Sequence, residues 1–150
     1  MTNIEDRLLI RPAHRDDMES VSQLLEYLGY CVFPSDLESI LSDIHNNAAL
    51  NVFLAVDMDG NPIALISLHH FPALRLKGCQ VTIEKLVVHP QFRGRGIGGS
   101  LLNFAREFAK RKGAVRLEVT TSCKRESFKR RFYTNNGFKD AESAVFRINF

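Results

Sequence analysis

The sequence contains no tryptophan, only three cysteines and no long apolar run. The cysteines are odd in number and widely separated, without a Cys-x-x-Cys pair, so neither a disulfide framework nor a zinc site is indicated. Apolar runs such as ALISL are far shorter than the roughly 18 residues of a membrane span, and MTNIEDRLLI lacks the basic start and apolar run of a signal peptide. We therefore expect a cytoplasmic protein with reduced thiols, no metal and no membrane partner.

The length and composition are those of one globular domain. The chain has 150 residues, of which 45% are hydrophobic and 25% charged, and we expect a single domain over residues 1–150. Charge is unevenly distributed, because residues 1–57 carry 10 acidic and 3 basic side chains, whereas residues 58–150 carry 7 acidic and 17 basic ones. This asymmetry indicates one surface suited to a polyanion and another suited to a cation, although solvation of helix faces is the commoner reason for charge runs.

Hydrophobic spacing in the first half predicts a strand, two helices and a meander. A strand over RLLIRPA precedes an apolar helical pattern from Met18 to Leu28. A capping box of Ser35 and Glu38 predicts the start of a second helix, which ends near HNNA. The turn-forming segment MDGN separates two strand-like segments and predicts a β-hairpin, and CQVTIEKLVVHP predicts a third, antiparallel strand.

The second half continues the alternation of helices and strands. Apolar residues at helical spacing predict a helix that ends with KRKG and Gly113: Leu101, Leu102, Ala105, Phe108 and Ala109. AVRLEVTT predicts a strand, and a further helix is predicted from about residue 124 to 135, with Phe128 and Phe132 buried and Gly137 as its cap. Two short strands or one hairpin close the chain. The predicted class is an α/β fold, α+β by some schemes, with helices on both faces of a mixed sheet.

Four of the nine glycines lie between residues 94 and 99, in the segment HPQFRGRGIGGSLL. A P-loop would need a lysine after its last glycine, where this chain has Ser100. The spacing also spells the dinucleotide motif Gly-x-Gly-x-x-Gly, with Glu118 about where a ribose-binding acid would stand. However, Pro90 and three more residues separate the glycines from the preceding strand, and a helix pair and a meander come first, so this interpretation is disfavoured.

A third interpretation begins at Gln91. Gln91, Gly94 and Gly96 form Gln-x-x-Gly-x-Gly between a strand that ends in LVVHP and a helix that begins with GGSLL. Glycine lets the backbone curl so that several N–H groups converge at a helix N-terminus, where the helix dipole adds positive charge. Such a turn holds a pyrophosphate without a lysine. Arg93 and Arg95 either add charge at its rim or are only solvated.

The segment IEKLVVHPQFRGRGIGGSLL closely resembles the acetyl-CoA binding motif of the GNAT N-acetyltransferases. LIRPAHRDDMESVSQLL is similar to the opening strand and helix of that family, and RRFYTNNGFK is similar to its late helix with a tyrosine. The order of the predicted elements also fits, so the resemblance covers nearly the whole chain. It implies a single-domain GNAT fold and an acetyl-CoA-dependent N-acetyltransferase that acts on a small-molecule or peptide amine, with no nucleic-acid partner.

In this family two central parallel strands splay apart, and the pantetheine arm of CoA lies in the gap. The resemblance assigns these strands to Val81–Val88 and Val115–Thr121. It implies that the backbone of Leu86, Val87 and Val88 holds the arm and that the backbone of the glycine-rich turn holds the pyrophosphate. The residues so implied in the turn are Gln91, Arg93, Gly94, Arg95, Gly96, Ile97, Gly98 and Gly99.

The resemblance also implies direct transfer to the amine, which needs a general base and a general acid but no nucleophilic residue. Tyr133 stands where the family places its general acid; the alternative is a tyrosine that packs beside Phe132. Glu84 is the candidate base, acting through water; the alternative is a strand glutamate paired with a neighbouring cation or solvent. Its orientation depends on a β-bulge that is common at this point in the family, and Glu118 is a second candidate.

The acceptor is expected to meet the first two helices, whose acidic residues favour a cationic amine: Asp16, Asp17, Glu19, Glu26, Asp36, Glu38 and Asp43. Tyr27, Tyr30 and Phe33 either line its pocket or pack in the core. The late helix departs from the family pattern, because Glu126 and Lys129 stand where an asparagine and a small residue are frequent.

Two other functions are alternatives. The basic C-terminal half with its interleaved aromatic residues suggests a nucleic-acid binder, but no recognition motif supports one. A non-catalytic acyl-CoA sensor of the same fold is compatible with the motif. A homodimer is also left open.

Overall fold

A computed structural model describes residues 8–46 and 49–150. The chain forms two compact units, which divide between Thr120 and Thr121, and the single-domain organisation stays a prediction. Two predicted boundaries lie outside the described residues: Arg7, at the start of the first strand, and residues 47–48, near the end of the second helix. Within the described ranges, every helix is too short or too polar to cross a bilayer.

The first unit is built on a mixed sheet with five strands among its described residues. They lie side by side in chain order as β1 (Leu9–Pro12), β2 (Leu50–Val56), β3 (Pro62–Ala73), β4 (Gly78–Val88) and β5 (Ala114–Val119). Strands β2 to β4 pair antiparallel, as predicted for the meander; β1 also pairs antiparallel, with β2, and β4 pairs with β5 in parallel. The helices of this unit are α1 (Met18–Glu26), α2 (Pro34–Asn46) and α3 (Ile97–Arg111).

Helices α1 and α2 cover one face of the sheet. Their apolar stripes, which include Leu24 and Leu41, pack in one buried cluster with side chains from β2, β3 and β4. The spacing is that of amphipathic helices that bury one face. Helix α2 begins at Pro34, whose fixed φ suits the first helical position, and the Phe33 carbonyl accepts its first hydrogen bonds. Ser35 is therefore inside the helix, and the predicted capping box with Glu38 is wrong.

Helix α3 covers the other face. The residues predicted to face the core are all buried: Leu101, Leu102, Ala105, Phe108 and Ala109. The ring of Phe53 on β2 meets Phe104 and Phe108 edge to face, with centroids 4.7 and 5.7 Å apart. Because successive strand residues point to opposite faces, the next residue, Leu54, joins the cluster beneath α1 and α2. Helices thus lie on both faces of a mixed sheet, and the predicted fold class is confirmed.

The turn between β2 and β3 follows the predicted hairpin. Gly60 has φ +84°, a conformation that is costly for residues with a Cβ atom, and its N–H donates to the Asp57 carbonyl oxygen at 3.1 Å. The Asp57 carboxylate accepts from the N–H groups of Asp59 and Asn61, both at 2.9 Å. These hydrogen bonds, foremost the one from the Asn61 backbone, hold the pKa of Asp57 below its usual value.

The second unit contains two short helices, α4 (Glu126–Lys129) and α5 (Phe132–Asn135). The single helix predicted from 124 to 135 is wrong, because Arg131 adopts φ +59° and interrupts it. Phe128 is 45% exposed, so the prediction that it is buried is also wrong. Two apolar positions over twelve residues leave little packing energy to hold a long helix, and α-helices this short depend on packing. Gly137 follows α5 with φ +88°, as predicted for its cap.

The last residues of the chain, 138–150, contain no strand, so the predicted closing strands or hairpin are wrong. Phe146, Ile148 and Phe150 alternate as in a strand, but all three are exposed. Alternation determines which side chains share a face and does not supply a partner strand. A strand is stable only when its backbone groups are paired.

Candidate active site

Strand β5 lies beside only the first part of β4. Their parallel pairing spans Cys79–Ile83 on β4 and ends where Ile83 lies opposite Val119. Strand β4 then continues for five more residues to Val88, still paired with β3 on its other side. Among the described residues, β5 ends at Val119, so β4 has no strand beside it on this side after Ile83, which leaves a gap there; the splay of the two strands that the sequence resemblance implied stays a prediction.

The backbone of β4 beyond this point exposes polar groups toward the gap. The His89 N–H donates to the Ile63 carbonyl oxygen of β3 at 2.8 Å. Because alternate residues of an antiparallel strand direct their N–H and C=O groups to opposite sides, Val87 points its groups toward β3, as His89 does. Leu86 and Val88 direct theirs to the open side. Three residues were expected to hold the pantetheine arm by their backbone. Leu86 and Val88 direct their N–H and C=O groups to the gap, whereas those of Val87 pair with β3.

A tight turn connects β4 to α3. Residues Pro90–Phe92 form a single 3-10 turn, and the Gln91 N–H donates to Nδ1 of His89 at 3.2 Å. Gly94 and Gly96 follow with φ +73° and +81°, conformations that side chains with a Cβ atom rarely adopt. This sequence of turns directs the chain into α3.

Helix α3 presents its N-terminus next to the gap. Gly96 is its N-cap, and the first intrahelical hydrogen bond runs from the Ser100 N–H to the Gly96 carbonyl oxygen at 3.0 Å. The N–H groups of Ile97, Gly98 and Gly99 belong to the first turn, whose N–H groups have no partner within a helix. The Ile97 side chain is buried and anchors the turn against the core.

The two arginines of the turn are both engaged with the turn itself. Arg93 donates from Nε to the Val88 carbonyl oxygen at 3.0 Å, and the Arg95 guanidinium lies 5.2 Å from the centre of the Phe92 ring. Both side chains are exposed, so their charge is available at the rim of the turn. The Arg93 contact ties the end of β4 to the glycine turn.

A β-bulge in β4 orients Glu84. Ser67 of β3 lies opposite Lys85, whereas the next residue, Leu68, lies opposite Ile83, so Glu84 is the extra residue. The bulge places Glu84 and Lys85 on the face covered by α1 and α2, where both line a pocket. Without it, alternation would turn Glu84 toward the opposite face.

Ser67 holds this bulge together, although the sequence pattern had not singled it out. Its hydroxyl donates to Oε2 of Glu84 at 2.7 Å and accepts from the Lys85 N–H at 3.1 Å. The side chain is buried, with 3% of its surface exposed. A signal was available, because Ser67 is the one polar residue in the apolar run ALISL. Lys85 adds a weaker contact, with Nζ 3.5 Å from Oε1 of Glu84.

The pocket beside Glu84 has a volume of about 230 Å³ and lies between α1, α2 and the sheet. Of the aromatic residues considered for it, Tyr30 lines it, whereas Tyr27 bonds from its hydroxyl to Nε2 of His89 at 3.1 Å and Phe33 is 63% exposed. The seven acidic residues of the first two helices are absent from the lining that the structure describes. Asp17 among them pairs with Arg11, at 2.8 and 2.9 Å.

The remaining candidates lie elsewhere. Glu118 is opposite Thr82 in the paired part of β4 and β5, one residue before β5 ends. Tyr133 belongs to the second unit, where its ring meets Phe132 and Phe138 edge to face. Burial raises the pKa of Tyr133 above its usual value, with Arg125 acting weakly in the opposite direction. The phenol is therefore protonated at neutral pH.

Comparison of the sequence with known proteins finds acetyltransferases. The model of a family described as "Acetyltransferase (GNAT) family" matches residues 18–138. The chain is 32% identical, over 139 residues, to an aminoalkylphosphonate N-acetyltransferase of Salmonella typhimurium, covering 88% of this chain and 85% of that one.

Solved structures show the same fold. A protein from Bacillus halodurans described as a transcriptional regulator superposes with a TM-score of 0.84 at 25% identity, covering 95% of this chain and 99% of that one. The glucosamine-6-phosphate N-acetyltransferase of Arabidopsis thaliana superposes with a TM-score of 0.78 at 20% identity, covering 94% and 97%.

Proposed function

The chain belongs to the GNAT acetyltransferase family and is therefore an acyltransferase, and we propose that it moves an acetyl group from acetyl-CoA directly to a primary amine. The acceptor is a small-molecule or peptide amine, cationic in solution. The observation that carries this proposal is the strand-turn-helix segment from Glu84 to Gly99, in which a strand that extends past its parallel neighbour, a glycine turn and a helix N-terminus follow one another.

The fit to acetyl-CoA is supported by the backbone of this segment. The outward N–H and C=O groups of Leu86 and Val88 suit the amides of a pantetheine arm. The N–H groups from Arg93 to Gly99 and the dipole of α3 suit a pyrophosphate. A Cβ atom at Gly94 would meet nothing within 4 Å, so the turn leaves room above it. The exposed guanidinium groups of Arg93 and Arg95 would add positive charge at the edge.

Bound acetyl-CoA would supply a thioester whose carbonyl carbon gains a C–N bond and loses its C–S bond. The chain's own residues would manage the protons. Glu84 would accept the proton that the amine loses, through a water molecule. Ser67 would keep that carboxylate in place through its 2.7 Å hydrogen bond. Each such proton transfer accelerates a reaction by typically 10² to 10⁴-fold.

Tyr133 would return a proton to the thiolate that leaves. A general acid must be protonated at the working pH, and the pKa of Tyr133 is raised by burial, which satisfies that condition. The sequence resemblance supports this role, because Tyr133 stands in the segment RRFYTNNGFK that is similar to the family's late helix.

Thiol release from acetyl-CoA in the presence of a panel of primary amines tests the proposal. We expect Glu84→Gln and Tyr133→Phe to lower kcat by about 100-fold each. Glu107→Gln is the matched control, since Glu107 is an exposed glutamate paired with Lys110 on α3, and it should retain the parental rate. Calorimetric binding of acetyl-CoA without thiol release on any amine would instead identify a non-catalytic acyl-CoA sensor.

A further inference from the structure

We propose that the pocket beside Glu84 takes up the apolar body of the acceptor, so that the preferred acceptor is a primary amine on a compact alkyl or aryl group. This inference rests on the proposed function, because it assigns the amine end of the acceptor to Glu84. It concerns which amines the pocket selects, a property that the family alone leaves open.

The pocket is apolar on all sides except at one end. Helix α1 contributes Val21 and Leu25, α2 contributes Leu37 and Ile40, and the sheet contributes Val52 and Leu65. The polar groups of the described lining are those of Ser67, Glu84 and Lys85, which contact one another, and the phenol of Tyr30, whose ring centre lies 5.2 Å from Lys85 Nζ. A ligand that fits must therefore be apolar along its length and polar at one terminus.

The volume limits the size of the apolar body. The pocket measures about 230 Å³. An apolar cavity of roughly 150 Å³ takes up benzene, so the space here suits a phenyl ring with a short alkyl linker, or an alkyl chain of similar volume. An aminoglycoside-like sugar is larger, and its hydroxyl groups would be buried without hydrogen-bond partners along the apolar walls.

Charge excludes acceptors with a second ionic group. Glu84 is the single carboxylate in the described lining, and Lys85 Nζ lies 3.5 Å from its Oε1 and 5.2 Å from the Tyr30 ring centre. The second ammonium of a diamine would thus lie against apolar walls without a counter-charge. A phosphonate in the same place would meet the same walls, and the one cation of the described lining, Lys85, is already paired with Glu84.

Competing acceptors test the preference. We expect kcat/KM for 2-phenylethylamine and hexylamine to exceed that for putrescine, spermidine and 2-aminoethylphosphonate by at least about tenfold. Ile40→Trp should fill the pocket mouth, where Ile40 is 47% exposed, and should raise KM for 2-phenylethylamine about tenfold. Ser39→Trp places the same side chain at the neighbouring exposed position of α2, outside the lining, and should leave KM unchanged.

A second variant keeps the test valid if the tryptophan disturbs folding. Ile40→Ala enlarges the mouth and should shift the preference toward longer or bulkier apolar amines. Preference for putrescine or 2-aminoethylphosphonate that neither Ile40 variant changes would overturn the inference and leave the transferase standing.

Binding without catalysis separates the two proposals. 2-Phenylethanol has the same apolar body but no amine, and its binding is measurable by calorimetry in the absence of acetyl-CoA. We expect it to bind the parental chain and Ser39→Trp, and to bind Ile40→Trp at least about tenfold more weakly. Such binding together with no acetylation of any amine would support the apolar pocket and overturn the transferase. No binding of 2-phenylethanol would overturn the pocket assignment.

Discussion

Ser67 determines where the Glu84 carboxylate lies. Its hydroxyl is the link between the bulge backbone and the side chain, because it accepts from the Lys85 N–H and donates to Glu84. Removing it leaves a partly buried N–H without its partner; such a group costs about 1 to 3 kcal/mol when fully buried and less here. In the proposed reaction Ser67 is therefore a positioning residue, which would act on the acceptor through Glu84.

The variant Ser67→Ala should lower kcat about tenfold while KM for acetyl-CoA stays unchanged, because the carboxylate is no longer held toward the acceptor. Ser67→Thr keeps the hydroxyl and suits a strand, and it should restore most of the rate. Steady-state kinetics of the two variants check this. If Ser67→Thr is as slow as Ser67→Ala, the hydroxyl does not position Glu84 and Ser67 serves only packing.

The pair of Arg11 and Asp17 connects β1 to the start of α1. The Asp17 carboxylate accepts two guanidinium hydrogen bonds and one from the His14 N–H at 2.7 Å. These contacts, foremost that with Arg11, hold the pKa of Asp17 below its usual value of 3.8. A carboxyl whose pKa is lower in the folded state stabilises the fold above its unfolded pKa, and the contribution is lost as pH falls through the folded value.

Asp17→Asn should therefore lower the free energy of unfolding by about 2 kcal/mol at pH 7, with a smaller difference from the parental chain at a pH well below the usual pKa of 3.8. Urea unfolding at the two pH values measures this. Asp16→Asn, at an exposed neighbouring position, is the control and should change stability little. If Asp17→Asn lowers the free energy of unfolding equally at both pH values, the charge of Asp17 does not account for the stability that this contact contributes.

At the scale of elements, the glycine turn and the hairpin turn each place a glycine at a positive φ, but only the glycine turn is proposed to bind acetyl-CoA. Gly94 and Gly60 have φ of +73° and +84°, and a Cβ atom at either would meet nothing within 4 Å. Alanine at each position therefore costs backbone strain alone, about 1 to 2 kcal/mol. The two substitutions form a matched pair.

Gly94→Ala should raise KM for acetyl-CoA about tenfold or more, because the strained turn no longer directs its N–H groups to one point. Gly60→Ala should lower the melting temperature by about as much as Gly94→Ala does, but it should leave the KM for acetyl-CoA unchanged. Thermal unfolding and kinetics on both variants provide the test. Equal KM values in the two variants would mean that the turn does not hold the pyrophosphate.

The elements that were predicted correctly from the sequence are those that several sequence features specify at once. Helix α3 has six buried residues at regular spacing and a glycine at its end, and the hairpin has a turn that only a few residue types form. The prediction of one long late helix was wrong because two phenylalanines are too few to specify it. The bulge at Glu84 was expected only through the family resemblance, since alternation cannot reveal where one strand gains an extra residue.

At the scale of the whole molecule, the acidic residues 1–57 and the basic residues 58–150 should affect the binding of acetyl-CoA and of the acceptor amine differently. Residues 58–150 supply the glycine turn and 17 of the basic side chains, whereas the seven acidic residues of the first two helices are absent from the described pocket lining. Attraction of a phosphorylated ligand should therefore be electrostatic and long-ranged. Uptake of the acceptor should depend on apolar burial instead.

Salt separates these contributions, because it screens exposed charges and leaves apolar burial almost unaffected. Raising NaCl from about 0.05 to about 0.5 M should increase KM for acetyl-CoA several-fold, while KM for 2-phenylethylamine changes by less than about twofold. Potassium glutamate at the same ionic strength controls for a specific effect of chloride. A parallel rise in both KM values would show that the acidic residues of the first two helices attract the amine, and that charge rather than the apolar pocket selects the acceptor.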